Sequence, residues 1–396
     1  MVLVLFALGT SLITPLIPLY RERLGFNHTV VTLFLGCYVL ALVPSMLTLG
    51  QLSDQVGRKP ILFTALGVLA TAQIILATEP PLWGILLSRG LQGLATGAFF
   101  GTCTAFLVDA ARPERRQFAA TLSSMSVRLG LGSGPGIAGL IAQYGPKDIR
   151  LSLPFEGHLV ALAVAVALVI GLPETITERR RRPLTLSLEV PAAERAVFWR
   201  VLVPSGMIFS LFDGVALSLV PVFLVNTLHE HNYALVGAAG FLVLVSGAAS
   251  QLLFPRIAPV TAIGWGVIAA SVLSIVIVVG APLGSVPLTL AGVAATGAAC
   301  GLVFKGGIDL CTLIAPPEDR GKLISSYYVA CYLGGFSVPL LVVGIIADRV
   351  GLTPALALLS GGAGIASIWT LTIGCSALAG LTPPARAEAE LHSLAP

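Results

Sequence analysis

"GQLSDQVGRKP", Gly50 to Pro60, sets an acid, two bases and two glycines between long apolar runs. The rest of the chain avoids charge: of its 396 residues 56% are hydrophobic and 11% charged, and the mean hydropathy is +0.93. A soluble domain carries roughly 25% charged residues and needs them to cover its core. The apolar residues here also come in runs of about twenty, the length with which a helix crosses a bilayer. An outer-membrane barrel would alternate apolar and polar residues with a period of two and would lack such runs. The sequence therefore predicts an all-α membrane protein, in which a charged stretch of eleven residues has to be a loop with a purpose.

Twelve apolar runs lie near residues 1–20, 29–50, 60–78, 82–108, 117–143, 155–172, 201–226, 233–254, 260–281, 286–314, 323–347 and 353–378. The connections are short except for Pro173 to Arg200, which contains "ERRRRP" (Glu178–Pro183). The predicted organisation is an N-terminal six-helix bundle over residues 1–172 and a basic linker over 173–200. A C-terminal six-helix bundle over 201–380 and a tail over 381–396 complete it. The stretch Met1 to Tyr20 has no basic leader and no small-residue cleavage site, and it carries Pro15 and Pro18. It reads as a retained first helix rather than a signal peptide, with room for a start upstream of Met1.

Loops on the cytoplasmic side of a membrane are enriched in Lys and Arg. With the N-terminus inside, fifteen basic residues fall on that side, led by Arg58, Lys59, Arg112, Arg115, Arg116 and Arg179 to Arg182. Five fall opposite (Arg21, Arg23, Lys147, Arg150, Arg349), and Arg89, Arg128 and Lys305 lie within spans. Both termini are thus expected in the cytoplasm and the spans in the plasma membrane, although Arg21 and Arg23 run against the trend. The basic linker is expected to lie on anionic lipid. The six cysteines show no Cys-x-x-Cys spacing and read as small buried hydrophobes.

The two halves repeat. A shift of 204 positions lays "ARPERRQ" (Ala111–Gln117) on "APPEDRG" (Ala315–Gly321), and Gly130, Ser133 and Pro135 on Gly334, Ser337 and Pro339. A shift of 203 lays Pro18-Leu19-Tyr20 on Pro221-Val222-Phe223. A duplicated six-span unit is the organisation of many secondary transporters, which bind solute near the membrane midplane between the repeats.

The opening stretch resembles the loop 2–3 signature of the major facilitator superfamily, G-x-L-a-D-r-x-G-R-K, and it falls between spans two and three as it does in that family. "LSRGLQGLATG" (Leu87–Gly97) resembles the family's fourth-span motif, with Arg89 as its membrane arginine. "GLGSGPGIAG" (Gly130–Gly139) resembles the fifth-span motif of the drug:proton antiporter, efflux branch, through Gly130, Gly134, Pro135 and Gly139; Ala138 stands where the family has Gly. The second-half counterpart of the opening loop, "FPRIAPV" (Phe254–Val260), keeps neither the Asp nor the paired glycines. The resemblance implies a fold of two pseudo-symmetric six-helix bundles. It also implies that Gly50, Asp54, Gly57, Arg58, Lys59 and Asp109 form a conformational latch between the halves, and that span five bends at Pro135.

Charges at bilayer depth cost roughly 2.5–3.5 kcal/mol on insertion scales, so each is a candidate for function. Asp213 in "SLFDGVALSLVP" is the most central acid and the best candidate for a proton carrier; a static pair with Arg89 or Arg128 and direct contact with substrate are the competing readings. Arg89 and Arg128 are candidates for the proton or substrate pathway, and Lys305 with Asp309, at i and i+4, reads as a structural charge pair. His229-Glu230-His231 reads as a solvated external loop, and His158 beside Glu156 as an interfacial pair. No metal site, nucleotide-binding loop or nucleophile motif is present in the sequence, so neither an enzyme nor an ATP-driven pump is expected.

The expected function is proton-coupled export of small amphipathic or drug-like solutes by alternating access, driven by the proton gradient without a bound cofactor. The alternative is a metabolite or sugar uniporter or symporter of the same superfamily. Polar solutes usually need several polar or Trp side chains around them, and Gln92, Gln251, Trp265 and Trp369 are among the few within the spans. The expected partners are a small-molecule substrate, protons and membrane lipid, with no nucleic acid, and the chain is expected to act as a monomer.

Overall fold

The computed structural model describes residues 1–112, 115–176, 188, 190, 192, 194–316 and 320–379. Among them all regular structure is helical. Twelve spans follow one another: α1 (Val2–Leu24), α2 (His28–Val56), α3 (Arg58–Ala77), α4 (Leu82–Ala110), α5 (Arg116–Tyr144) and α6 (Leu153–Ile170). After the linker come α7 (Arg195–Asn226), α8 (Tyr233–Leu253), α9 (Pro259–Val279), α10 (Val286–Ile314), α11 (Arg320–Val350) and α12 (Leu352–Ala379). All but α5 are apolar enough over 18 residues to span a membrane on hydropathy alone; in α5 the glycines of the 130–139 run and Arg128 dilute the signal. The predicted all-α, twelve-helix membrane architecture is the one observed.

The chain forms two compact units, Met1–Leu186 with Glu230–Phe241 and Ser187–His229 with Leu242–Pro396. Most of the basic linker and the tail, with Arg179 to Arg182, lie outside the described residues, as do the middles of the "ARPERRQ" and "APPEDRG" loops.

Two spans are interrupted where proline falls. In α1 a 3-10 turn at Thr14–Leu16 separates Val2–Ser11 from Ile17–Leu24, because Pro15 and Pro18 cannot donate to the helical ladder. In α11 the helix stops at Gly335 and restarts at Val338, with Ser337 at φ −111°, ψ −97° and Pro339 in the first turn of the new segment. Its counterpart Pro135 stays inside an unbroken α5. The break in α11 sits against α7, whose Ser210 donates to Cys331 O at 2.8 Å and fills the space beside Gly335.

In lipid, apolar side chains gain little by exchanging one oily neighbour for another, so close packing and buried hydrogen bonds hold helices together. The first unit packs α4 on α2 through Gly93 and Gly97: a Cβ at Gly97 would stand 2.7 Å from Met46 N, and one at Gly93 would overlap Tyr38 O. The second unit repeats this at the 204 shift. Gly297 and Gly301 of α10 face the backbone of α8 at Val243 and Gly247. In the same unit α9 and α12 are joined by serines, Ser271 to Ser367 at 3.0 Å and Ser274 to Ser360 at 2.8 Å. Cys103, Cys300, Cys311 and Cys331 are buried and Cys37 half-buried, none of them in a disulfide.

Candidate functional site

The opening stretch bridges α2 and α3. Asn27 caps the start of α2 by accepting from Val30 N at 3.1 Å, and α2 runs on through the signature to Val56. Gly57 then turns the chain at φ 111°, ψ 154°, a conformation open to glycine, and α3 begins at Arg58. Arg58 reaches back across the Gly57 turn to Asp54, near the end of α2, at 2.6 Å and across to Asp109, at the end of α4, at 3.1 Å. It also donates to Ser53 Oγ at 2.8 Å. Lys59 Nζ donates to Ile170 O, on the last residue of α6, at 3.1 Å and to Leu172 O just beyond that helix at 2.7 Å. One loop therefore ties the ends of α2, α3, α4 and α6 in the first unit.

A residue that the sequence reading assigned only to the linker completes this junction. Glu174 Oε1 and Oε2 accept from Arg58 N and Lys59 N, each at 3.0 Å, so the carboxylate caps the start of α3 where the helix dipole favours an anion. Thr175 N and Ile176 N donate to the same carboxylate at 2.9 and 3.2 Å. A Cβ at position 57 would lie 2.9 Å from Glu174 Oε2, so the glycine is needed for room as well as for its φ. Partial burial pushes the Glu174 carboxyl up, and the four backbone donors outweigh it and hold the group below the usual carboxylate range. The ionised form is thus favoured by folding. Its contribution to stability is complete above the ordinary glutamate pKa and is lost as pH falls through the lowered one. Glu174→Gln is expected to lower the melting temperature of purified protein at neutral pH, with the variant and wild-type curves converging at acid pH. Equal melting at every pH would contradict the cap.

The cations against the positional trend are held locally. Arg23 pairs with Glu79 in the α3–α4 connection, and Arg21 Nε donates to Phe26 O at 3.0 Å. His158, expected at an interface with Glu156, is instead buried at 2% exposure and bonds through Nε2 to Leu5 O at 2.8 Å. The missing side chain of Gly9 on α1 lets the imidazole ring lie directly on that helix. Gln73, fully buried on α3, donates to Gly9 O beside it at 3.0 Å.

Arg89 is buried in the first unit and linked to three helices. It donates to Thr10 O of α1 at 2.7 Å and Phe34 O of α2 at 3.2 Å, bonds Gln92 on its own helix, and lies 4.7 Å over the Tyr38 ring. Arg128 is half-buried on α5. The small-residue face of α5 lies against two helices. A Cβ at Gly130 would come 2.7 Å from Val4 O, Ser11 Oγ donates to Leu131 O at 2.6 Å beside Gly134, and a Cβ at Gly139 would come 2.5 Å from Tyr233 O.

In the second unit Asp213 is buried at 6% exposure on α7, one helical turn beyond Phe209. Phe209 opens a run of ring contacts: Phe304 of α10 at 5.2 Å, then Tyr328 at 5.8 Å, Tyr332 at 6.2 Å and Phe336 at 5.7 Å along α11. Tyr328, Tyr332 and Phe336 recur every fourth residue and are half-buried; the two tyrosines share a face of α11 and Phe336 continues the run into the break of that span. The sequence reading missed this ladder, although the i, i+4, i+8 spacing of the rings is its signal. Lys305 and Asp309 pair at 2.5 Å on α10.

Two helical units joined by a linker, with a charged junction at the α2–α3 turn, define a polytopic membrane protein with a transporter's architecture. The chain belongs to the Major Facilitator Superfamily, whose family pattern matches residues 1–339. Among curated relatives it is 34% identical over 110 residues to the inner membrane transport protein YajR of Escherichia coli, a match covering 28% of this chain and 24% of that protein. It is 28% identical over 183 residues to the class C tetracycline resistance protein of Escherichia coli, 46% of this chain and 45% of that one. With the quinolone resistance protein NorA of Staphylococcus aureus it shares 25% over 166 residues, 42% of each. The matched regions thus span from a quarter to under half of these relatives. Among solved structures, a POT family transporter in complex with 5-aminolevulinic acid superposes with a TM-score of 0.78 at 13% identity, over 95% of this chain and 96% of that one. A bacterial homolog of the human lysosomal transporter Spinster, inward-facing and occupied, gives 0.72 at 13% identity and 97% of each. Those likenesses carry the fold.

Proposed function

We propose that the protein is a proton-coupled exporter of small amphipathic or drug-like solutes that works by alternating access. The observation that carries this reading is the placement of Asp213, a buried acid at mid-helix one turn from an aromatic ladder. A carboxylate that can take and release a proton beside flat apolar rings suits exchange of protons for amphipathic solutes. The names of the tetracycline and quinolone resistance relatives agree with export, as does the efflux-type face of α5.

In this reading the Asp54–Arg58–Asp109 junction, with Gly50, Gly57 and Lys59, is a latch formed in one conformation and broken in the other. Such a bistable contact sets the populations of the two states. Arg89 and Arg128 belong to the proton or solute pathway, and Lys305–Asp309 is a structural pair. The protein is driven by the proton gradient without a bound cofactor. It acts as a monomer in the plasma membrane with both termini in the cytoplasm.

The test is efflux of a panel of aromatic dyes from cells lacking their own exporters, with and without a protonophore. Export that the protonophore abolishes is the expected result. Failure to export any dye of the panel would contradict the reading.

A further inference from the structure

The second unit holds a cavity of about 370 Å³ at one end of its helices, between the α8–α9 connection (Pro255–Ala258), the start of α9, the last turns of α10 and Arg320 at the start of α11. Three cations line it, Arg256, Lys305 and Arg320; among the described residues Asp309 is the one carboxylate, and Lys305 holds it at 2.5 Å. Arg320 Nε donates to Ala315 O at 3.2 Å, which satisfies one of the last carbonyls of α10 and fixes the guanidinium at the cavity.

In the first unit the single Arg58 at the α2–α3 turn stands between two carboxylates, and the start of α3 is capped by a third, Glu174. The corresponding start of α9 has Ala258 as its cap residue, with no side-chain cap bond. Among the described residues the second unit thus gathers cations and an uncapped helix start where the first unit supplies its own anions.

We propose that this cavity binds a phosphate-type oxyanion, brought to it as the headgroup of an anionic phospholipid. An oxyanion here would meet Arg256, Arg320 and the positive end of the α9 dipole, the combination that favours phosphate at helix starts. The lipid source is favoured by the neighbouring surface. Leu252, Leu253 and Phe254, immediately before Pro255, are 52, 73 and 51% exposed and offer an apolar track on which an acyl chain can lie. Basic pockets between spanning helices at the cytoplasmic face are where such headgroups bind. This site is separate from Asp213 and the aromatic ladder, so it stands whatever solute the protein moves.

The test uses the purified full chain in nanodiscs of phosphatidylcholine with and without phosphatidylglycerol, reading the melting temperature and counting retained lipid by native mass spectrometry. Wild type is expected to retain phosphatidylglycerol in preference to phosphatidylcholine and to melt higher with it, an advantage that fades with added salt. Arg256→Glu is expected to weaken the preference on the order of tenfold, a charge reversal next to the headgroup, while Arg256→Lys keeps most of it. Should Arg256→Glu fail to fold, the salt dependence of wild type and the Arg256→Lys variant carry the test. Equal retention of both lipids by wild type would overturn the site. Equal stabilisation by soluble glycerol phosphate, with no further gain from phosphatidylglycerol, would overturn the lipid as its source.

Discussion

Asp213→Asn is expected to reduce protonophore-sensitive efflux at least tenfold at equal expression, to near the level of cells without the protein. The amide keeps the shape and polarity of the side chain and removes the one property a proton carrier needs, a charge that can be gained and lost. Because Asp213 lies on α7 one turn from Phe209, the variant should still bind aromatic dye within a few-fold of wild type, since the rings are untouched. Loss of flux with binding retained separates a coupling role from a structural one. Undiminished export in Asp213→Asn would remove the residue from the mechanism and with it the observation that carries proton coupling.

The second large effect concerns packing. Gly97→Val and Gly301→Val, at corresponding positions of the two halves, are expected to lower the yield of folded, monodisperse protein strongly. At Gly97 the nearest obstacles include Met46 N at 2.7 Å, and at Gly301 Gly247 Cα at 2.6 Å; main chain cannot step aside as a side chain can. Overpacking typically costs about 1–3 kcal/mol, roughly five- to a hundredfold in the folded population. Gly101→Val provides the control, because a Cβ there meets nothing within 4 Å although it lies one turn from Gly97 on the same helix. Size-exclusion profiles of the three variants check the prediction. Similar profiles for Gly97→Val and Gly101→Val would contradict it.

These glycines show what the sequence made legible and what it did not. The span count, the linker and the α2–α3 junction could be read because a short charged stretch in an apolar chain is a strong local signal. Asp54 and Arg58 are four positions apart with a glycine between them, close enough in sequence to meet across the turn. Glu174 is 116 positions from Arg58, and no local pattern announces that its carboxylate caps α3. The pairs Gly93–Gly97 and Gly297–Gly301 were legible in principle, since the 204 shift that aligns the fifth spans also superimposes them. The break in α11 was not: Pro135 and Pro339 occupy equivalent positions, yet only the second interrupts its helix, because Ser210 and Gly335 let α7 support the gap. His158 was misread for a related reason. A histidine near a span end reads as interfacial until the neighbouring helix is known to present Gly9.

The central claim, that solute movement is coupled to protons, is tested most directly in liposomes containing only the purified protein. An aromatic dye is placed outside and a pH step is imposed with the interior acid. The account predicts dye accumulation against its own gradient that collapses when the pH step is dissipated, and no accumulation with Asp213→Asn. Dye uptake by wild type that only equilibrates, at the same rate with or without the pH step, would contradict it.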